Sequence, residues 1–165
     1  SAKINLALSE VPDFTCLPND MTPVLKLITI EPEQPFTING LTFTAVPVSH
    51  IVPTAGFIVE DKKGALAFSS DTGPTQRFWE VVNQVKKLKA VITETSFPNA
   101  LQDLAHVSGH LTPATLEPEL RKLKRDVPVY LYGAKPKHLK VIKQQVQALK
   151  RKNLRMLVQG KTYQF

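Results

Sequence analysis

The hydrophobic period of this chain changes at Asp71, and that change limits its architecture more than any other feature. Before it, apolar and polar residues alternate in short runs, as in strands; after it, stripes at helical spacing take turns with short apolar runs. The clearest early segment is FTINGLTFTAVPV, where Asn39-Gly40 separates two alternating stretches. A tight hairpin turn needs positive φ at both central residues, which this dipeptide tolerates, so a hairpin is predicted. GFIVED and ALAFSS read as two further strands joined at Lys63-Gly64.

Past Asp71, residues 75–87 place Phe78, Trp79, Val82 and Val85 along one helical stripe. AVITETSF reads as a buried strand ending in polar residues. Thr112-Pro113 opens a second helix, with threonine as N-cap and proline in the first turn, where its missing N–H leaves no bond unmade. VPVYLYG is a strand, residues 136–152 a basic amphipathic helix with Leu139, Ile142, Val146 and Leu149 inward, and residues 155–159 a closing strand. Strands first, then helix and strand in alternation, predict a layered α/β fold with helices packed on a sheet. The first quarter, rich in proline (Pro12, Pro18, Pro23, Pro32, Pro35) with apolar stretches such as residues 24–30, suits short strands and loops. No internal repeat or long linker divides the chain, so residues 1–165 are read as one domain or part of one.

A chain of 165 residues has enough interior for a real core. Its 42% apolar and 21% charged residues are those of a globular domain rather than a disordered one. Cys16 is the only cysteine, which excludes an internal disulfide and a thiolate-built metal site. No apolar run approaches the roughly 20 residues that span a bilayer, and no charged-then-apolar leader opens the chain, so a soluble protein with no membrane partner is expected, its compartment open. The net charge of +7 favours anionic partners. The lysine-rich last third lacks interleaved aromatic residues for base stacking, which makes nucleic acid the weakest of them.

Four polar clusters stand where strands end or a helix begins: PVSH with His50, FSSDTGP with Asp71, ITETSFPN with Glu94, and SGHLTP with His110. In layered α/β proteins, sites gather on loops leaving the carboxyl edges of strands. Singly, each cluster has an ordinary structural explanation. Together and in this order, AVPVSHIVPTAGFIVED, LAFSSDTGPTQRFWEVVN and ITETSFPNALQDLAHVSGHLTPATLEPELRKL resemble the later portion of the class II 3′,5′-cyclic-nucleotide phosphodiesterases of the metallo-β-lactamase superfamily. The similarity runs from about Val11 onward, and extends more distantly to the transfer-RNA 3′-processing members.

The resemblance implies an αββα sandwich, of which this chain is the C-terminal half. It implies two divalent ions, zinc or else manganese or magnesium, in the complete enzyme. His50 matches a ligand of the first ion and Asp71 the carboxylate that bridges both. His110 matches the group that stabilises the reacting phosphorus or protonates the departing 3′ oxygen, and Glu94 is placed to orient that imidazole. A cyclic nucleotide, cAMP or cGMP, is the implied substrate.

Two departures qualify that pattern. The signature His-x-His-x-Asp-His occurs nowhere among His50, His106, His110 and His138. Gly133 stands where the family usually has a histidine ligand of the second ion, and His138 is better read as a solvated helix residue beside Lys137 and Lys140. Two clear ligands fall short of the three that catalytic zinc normally has. The chain alone is therefore expected to be inactive, and a second chain or self-association is expected to complete the domain. The alternatives are a degenerate, non-catalytic member binding anionic ligands or a partner chain, and a basic nucleic-acid module.

Overall fold

The computed structural model describes residues 28–165. The short strands expected before residue 28, and Cys16, lie outside the described residues. Pro32–Phe165 forms one compact unit. Its strands are β1 (Phe36–Ile38), β2 (Leu41–Val48), β3 (Thr54–Glu60), β4 (Ala65–Phe68), β5 (Leu88–Glu94), β6 (Val129–Tyr132) and β7 (Leu154–Met156). Its helices are α1 (Arg77–Gln84), α2 (Gln102–Val107), α3 (Pro113–Arg121) and α4 (Leu139–Ala148), with 3-10 turns at Asn99–Leu101 and Pro136–His138.

The seven strands lie in the sheet in chain order, the first three pairings antiparallel and the last three parallel. The hairpin forms as expected, with Ile38 paired to Leu41 and Asn39 and Gly40 at φ 51 and 80. The three parallel steps all move the same way across the sheet. Right-handed crossovers then carry every connecting helix to one face. Phe78, Trp79 and Val82 of α1, Leu116 and Leu120 of α3, and Ile142 and Val146 of α4 share a single core with Val46, Ile58, Ala67, Val91, Val129 and Leu131 of the sheet. Gly56 marks the closest approach: a Cβ there would stand 2.9 Å from the Phe78 ring. Truncating Phe78 or Trp79 would cost about 3–5 kcal/mol. The other face carries a row of half-buried apolar side chains, among them Phe43, Val59, Leu66, Phe57, Phe68 and Ile92.

Several elements are shorter than the periodicity suggests. The helix expected over 75–87 runs only Arg77–Gln84, because the Thr75 N–H is taken by the Glu119 carboxylate (3.0 Å) and Val85 turns extended. That carboxylate, buried in α3, also accepts from Trp79 Nε1 (2.8 Å) and Lys122 Nζ (2.6 Å), a charge held inside by three donors. The expected helix 136–152 is divided into a 3-10 turn and α4, and ends as Lys150 takes φ 52. The closing strand expected at 155–159 is Leu154–Met156. Thr112 caps α3 as expected, its hydroxyl accepting from the Thr115 N–H while Thr115 Oγ1 accepts from the Thr112 N–H. Helix α2 has no counterpart in the sequence reading, since its six residues are too few to show a stripe and Leu104 and Val107 are exposed.

Candidate metal centre

Strands β2, β4, β5 and β6 run in one direction, so their carboxyl ends share one edge of the sheet, and the four polar clusters gather there. His50 lies just past β2. Asp71 follows β4 through Ser70, whose φ of 56 is the left-handed region that a non-glycine residue seldom adopts. Strain of that kind at a strand end redirects the chain and aims the next side chain. Glu94 is the last residue of β5, and His110 lies between Gly109 and Leu111 in the loop leading to α3.

His50, Asp71 and His110 each offer a donor atom, and these atoms all lie within 4.8 Å of one another. The two imidazole rings meet edge to face with centroids 5.1 Å apart. Each ring is held by one nitrogen. Nδ1 of His50 is 2.8 Å from the Gly109 carbonyl, and Nδ1 of His110 is 2.6 Å from Glu94 Oε1. In both rings Nε2 is the nitrogen left free of these bonds. Backbone or carboxylate anchoring of one imidazole nitrogen is how metal-ligating and acid–base histidines are commonly oriented.

Glu94 is fully buried yet well satisfied. Besides His110, its Oε1 accepts from the Thr72 N–H (3.0 Å) and its Oε2 from the Leu111 N–H (3.4 Å). One carboxylate thus ties the end of β5 to the turn carrying Asp71 and to the loop carrying His110. The Gly73 N–H donates to the Ser49 carbonyl (2.7 Å), which holds the His50 segment against the same turn.

Several contributors carried no sequence signal beyond their neighbourhood. Tyr132 stacks on Phe68 (5.2 Å) and its hydroxyl lies 3.5 Å from Asp71 Oδ1. Burial, and then the charges of Asp71 and Glu94, push its phenol far above the usual range, so it stays a neutral donor. Phe97 packs edge-on to His110 (5.7 Å), with Lys135 Nζ 5.6 Å over its ring. Gly109, at φ 69, lies so close to His50 that a Cβ would stand 2.7 Å from Nδ1. The glycine directly before His110 was the one available hint. Gly133, at φ 81, offers no donor; a Cβ added there would stand 3.2 Å from Ser96 Oγ and 3.7 Å from the Glu94 Cβ. His138 ends a 3-10 turn and His106 is exposed on α2; neither joins the cluster.

His50 and Asp71 supply an imidazole and a carboxylate, both zinc-type donors, with the His110 imidazole beside them; ligand atoms on one zinc stand about 3.3 Å apart. The observed spacing is wider. Asp71 is exposed and can close on an ion, so the residues present fit a divalent metal. A shallow depression of about 410 Å³, lined by His50, Thr54, Phe68, Ser70, Asp71 and Tyr132, opens beside them.

Kinship is decided by a family model: residues 2–131 match the one described as the beta-lactamase superfamily domain. The chain belongs to that superfamily. Among solved structures, the superfamily chain is similar to YhfI from Bacillus subtilis, a metallo-beta-lactamase fold protein (14% identity, TM-score 0.64, covering 79% of this chain and 52% of that one). It is likewise similar to unliganded yeast PDE1 (18%, 0.65, 79% and 48%) and to the short form of human tRNase Z (17%, 0.53, 74% and 42%). At such identities the likeness shows the fold, which is metallo-beta-lactamase-like as expected from the sequence. The chain spans about half the length of these structures. No curated protein sequence matches it significantly.

Proposed function

We propose that this chain forms part of a metal-dependent hydrolase acting on a phosphodiester, with a 3′,5′-cyclic nucleotide as substrate. The observation that carries the reading is the meeting of His50, Asp71 and His110 at one strand-end edge, each imidazole anchored through Nδ1. His50 and Asp71 would hold a divalent ion, which would supply Lewis acidity and a bound water of lowered pKa. The chain's own groups do the rest. Glu94 holds His110 with Nε2 toward the site, placed to pass a proton to the leaving 3′ oxygen. Tyr132 donates to Asp71, and the excess of basic residues favours an anionic substrate. On this reading the remaining ligands come from protein outside this chain or from a second chain, and cAMP or cGMP binds with its phosphate at the metal.

A second reading, a non-catalytic member that binds anions or a partner, draws support from Gly133, which puts a donor-free position on the rim. One experiment separates the two. Zinc retention is measured by equilibrium dialysis on a form that also carries a His-x-His-x-Asp-His segment, with Asp71→Ala and His110→Ala beside it. Turnover of cAMP with zinc, manganese or magnesium is measured in a form that also carries a His-x-His-x-Asp-His segment. The hydrolase reading expects retention lost in Asp71→Ala, retention kept but turnover lost in His110→Ala, and turnover in the complete form. Retention without turnover favours the non-catalytic reading. Loss of zinc in His110→Ala would make that imidazole a third ligand rather than an acid, and failure of the complete form to retain zinc would remove the metal assignment.

A further inference from the structure

Tyr132 lines two spaces, the depression at the metal centre and a cavity of about 540 Å³, so the two adjoin across a single side chain. The cavity lies between the loop leaving β6 and the segment that follows β7. Both strands run parallel to β5, so their carboxyl ends share the edge that carries His50, Asp71 and His110, where ligands of layered α/β proteins collect. Gly133 stands at the join. A Cβ built there would lie 3.2 Å from Ser96 Oγ and 3.7 Å from the Glu94 Cβ, so a side chain would grow from the cavity toward the metal centre. Glycine leaves that way clear.

The cavity suits an apolar group that carries a hydrogen-bond acceptor. Leu131, Ala134, Leu139, Met156 and Val158 supply apolar walls, and no carboxylate is among the described residues that line it. Its far wall is fixed from within the chain. The Tyr163 hydroxyl accepts from the Val158 N–H (3.0 Å), the Lys161 N–H donates to the Val158 carbonyl (3.2 Å), and the Tyr163 ring packs edge to face on Tyr130 (5.4 Å). Lys161 Nζ lies 5.5 Å over that ring, which sets a charged donor at the end of the cavity. Mostly apolar walls with a few placed polar groups, around a volume of this size, are the marks of a small-molecule site.

We infer, on the phosphodiester reading of the metal centre, that this cavity is the nucleoside subsite and takes the purine base of a cyclic nucleotide whose phosphate lies beside Asp71. The base rests against Leu139, Met156 and Val158. Lys161 donates to N7, an acceptor that adenine and guanine share and pyrimidines lack. Continuity across Tyr132 and Gly133 assigns the cavity to another part of the same substrate rather than to a separate ligand. Contacts away from the reacting bond then fix how the phosphate is presented at the metal centre.

The test uses the full chain without metal, and adenosine as the probe. Adenosine carries no phosphate, so failure here is distinct from failure of the metal centre to retain zinc or turn over cAMP. Saturation-transfer NMR follows the base protons, and titration gives the affinity. Adenosine is expected to bind, and uridine about 10-fold more weakly for want of a partner to Lys161. Leu139→Asp/Val158→Asp sets carboxylates against the base and should weaken adenosine about 10-fold or more. Leu139 and Val158 are 48% and 60% exposed, so the variant keeps its fold, checked by circular dichroism. Lys161→Glu, at another exposed position, should erase the advantage of adenosine over uridine. No binding of adenosine, or unchanged affinity in Leu139→Asp/Val158→Asp, overturns the subsite. Equal binding of uridine to the parent chain, or an adenosine advantage that survives Lys161→Glu, overturns purine recognition by Lys161.

Discussion

Replacing Gly109 by alanine tests whether His50 is held in place by the loop that carries His110. A Cβ at this position would lie 2.7 Å from His50 Nδ1, 3.0 Å from the Ile51 nitrogen and 3.1 Å from the His50 Cα. Ordinary contact begins at 3.4 Å, so the imidazole must retreat by roughly 0.7 Å, with backbone behind it that cannot swing aside. The movement stretches the 2.8 Å hydrogen bond from Nδ1 to the Gly109 carbonyl, the contact that directs Nε2. Left-handed backbone costs a non-glycine residue about 1–2 kcal/mol, and loss of the hydrogen bond about 1 kcal/mol more. Gly40 supplies the control: at φ 80, with nothing within 4 Å of a built Cβ, Gly40→Ala carries the backbone cost without the collision. Urea denaturation is expected to show Gly109→Ala less stable by about 2–3 kcal/mol and Gly40→Ala by about 1–2 kcal/mol. Zinc titration by calorimetry should show about 10- to 100-fold weaker binding in Gly109→Ala alone, as for the loss of a group that orients a ligand. Equal zinc affinity in the two variants would refute the claim that this loop positions His50.

Further outcomes follow from buried charges and exposed pairs. Glu119→Ala strands the Trp79 indole N–H and the Thr75 N–H inside the core and should cost about 3–5 kcal/mol in the same assay; a loss under 1 kcal/mol would show that the carboxylate is not the hub of α1 and α3. Glu94→Gln forces an amide NH₂ toward one of three donors, and a loss of about 2 kcal/mol is expected from its urea midpoint. The hydrogen bond from Arg151, ahead of its charge, holds Glu117 below its ordinary value of 4.5. Because the folded value is the lower one, its contribution is present above about pH 4.5 and disappears as pH falls through the folded value. Glu117→Gln should therefore flatten the acid limb of a stability-against-pH curve recorded from pH 6 to pH 3, and an unchanged limb would discount the pair.

What the sequence revealed and what it hid divide along the reach of the interactions involved. The Asn39-Gly40 hairpin and the Thr112 cap are decided by neighbours in the chain, and both formed where the residues placed them. His50, Asp71, Glu94 and His110 were legible through motif order and do converge on one edge. The bonds that orient them, from His50 to the Gly109 carbonyl and from the Thr72 N–H to Glu94, join segments 59 and 22 residues apart, which no local period encodes. Helix α1 begins late for the same reason, since Thr75 is engaged by a carboxylate 44 residues downstream.

The coincidence of strand order with chain order bears on how the polypeptide is built. Each strand as it leaves the ribosome finds its partner already in place, immediately upstream, so the sheet can grow by accretion without waiting for a distant segment. The antiparallel pairings close over short turns and assemble fastest, while each parallel step waits for its crossover helix. Removing residues from the C-terminal end should peel away β7 and then α4 while leaving the earlier strands paired, a gradation that pulse-labelled nascent chains of increasing length would display.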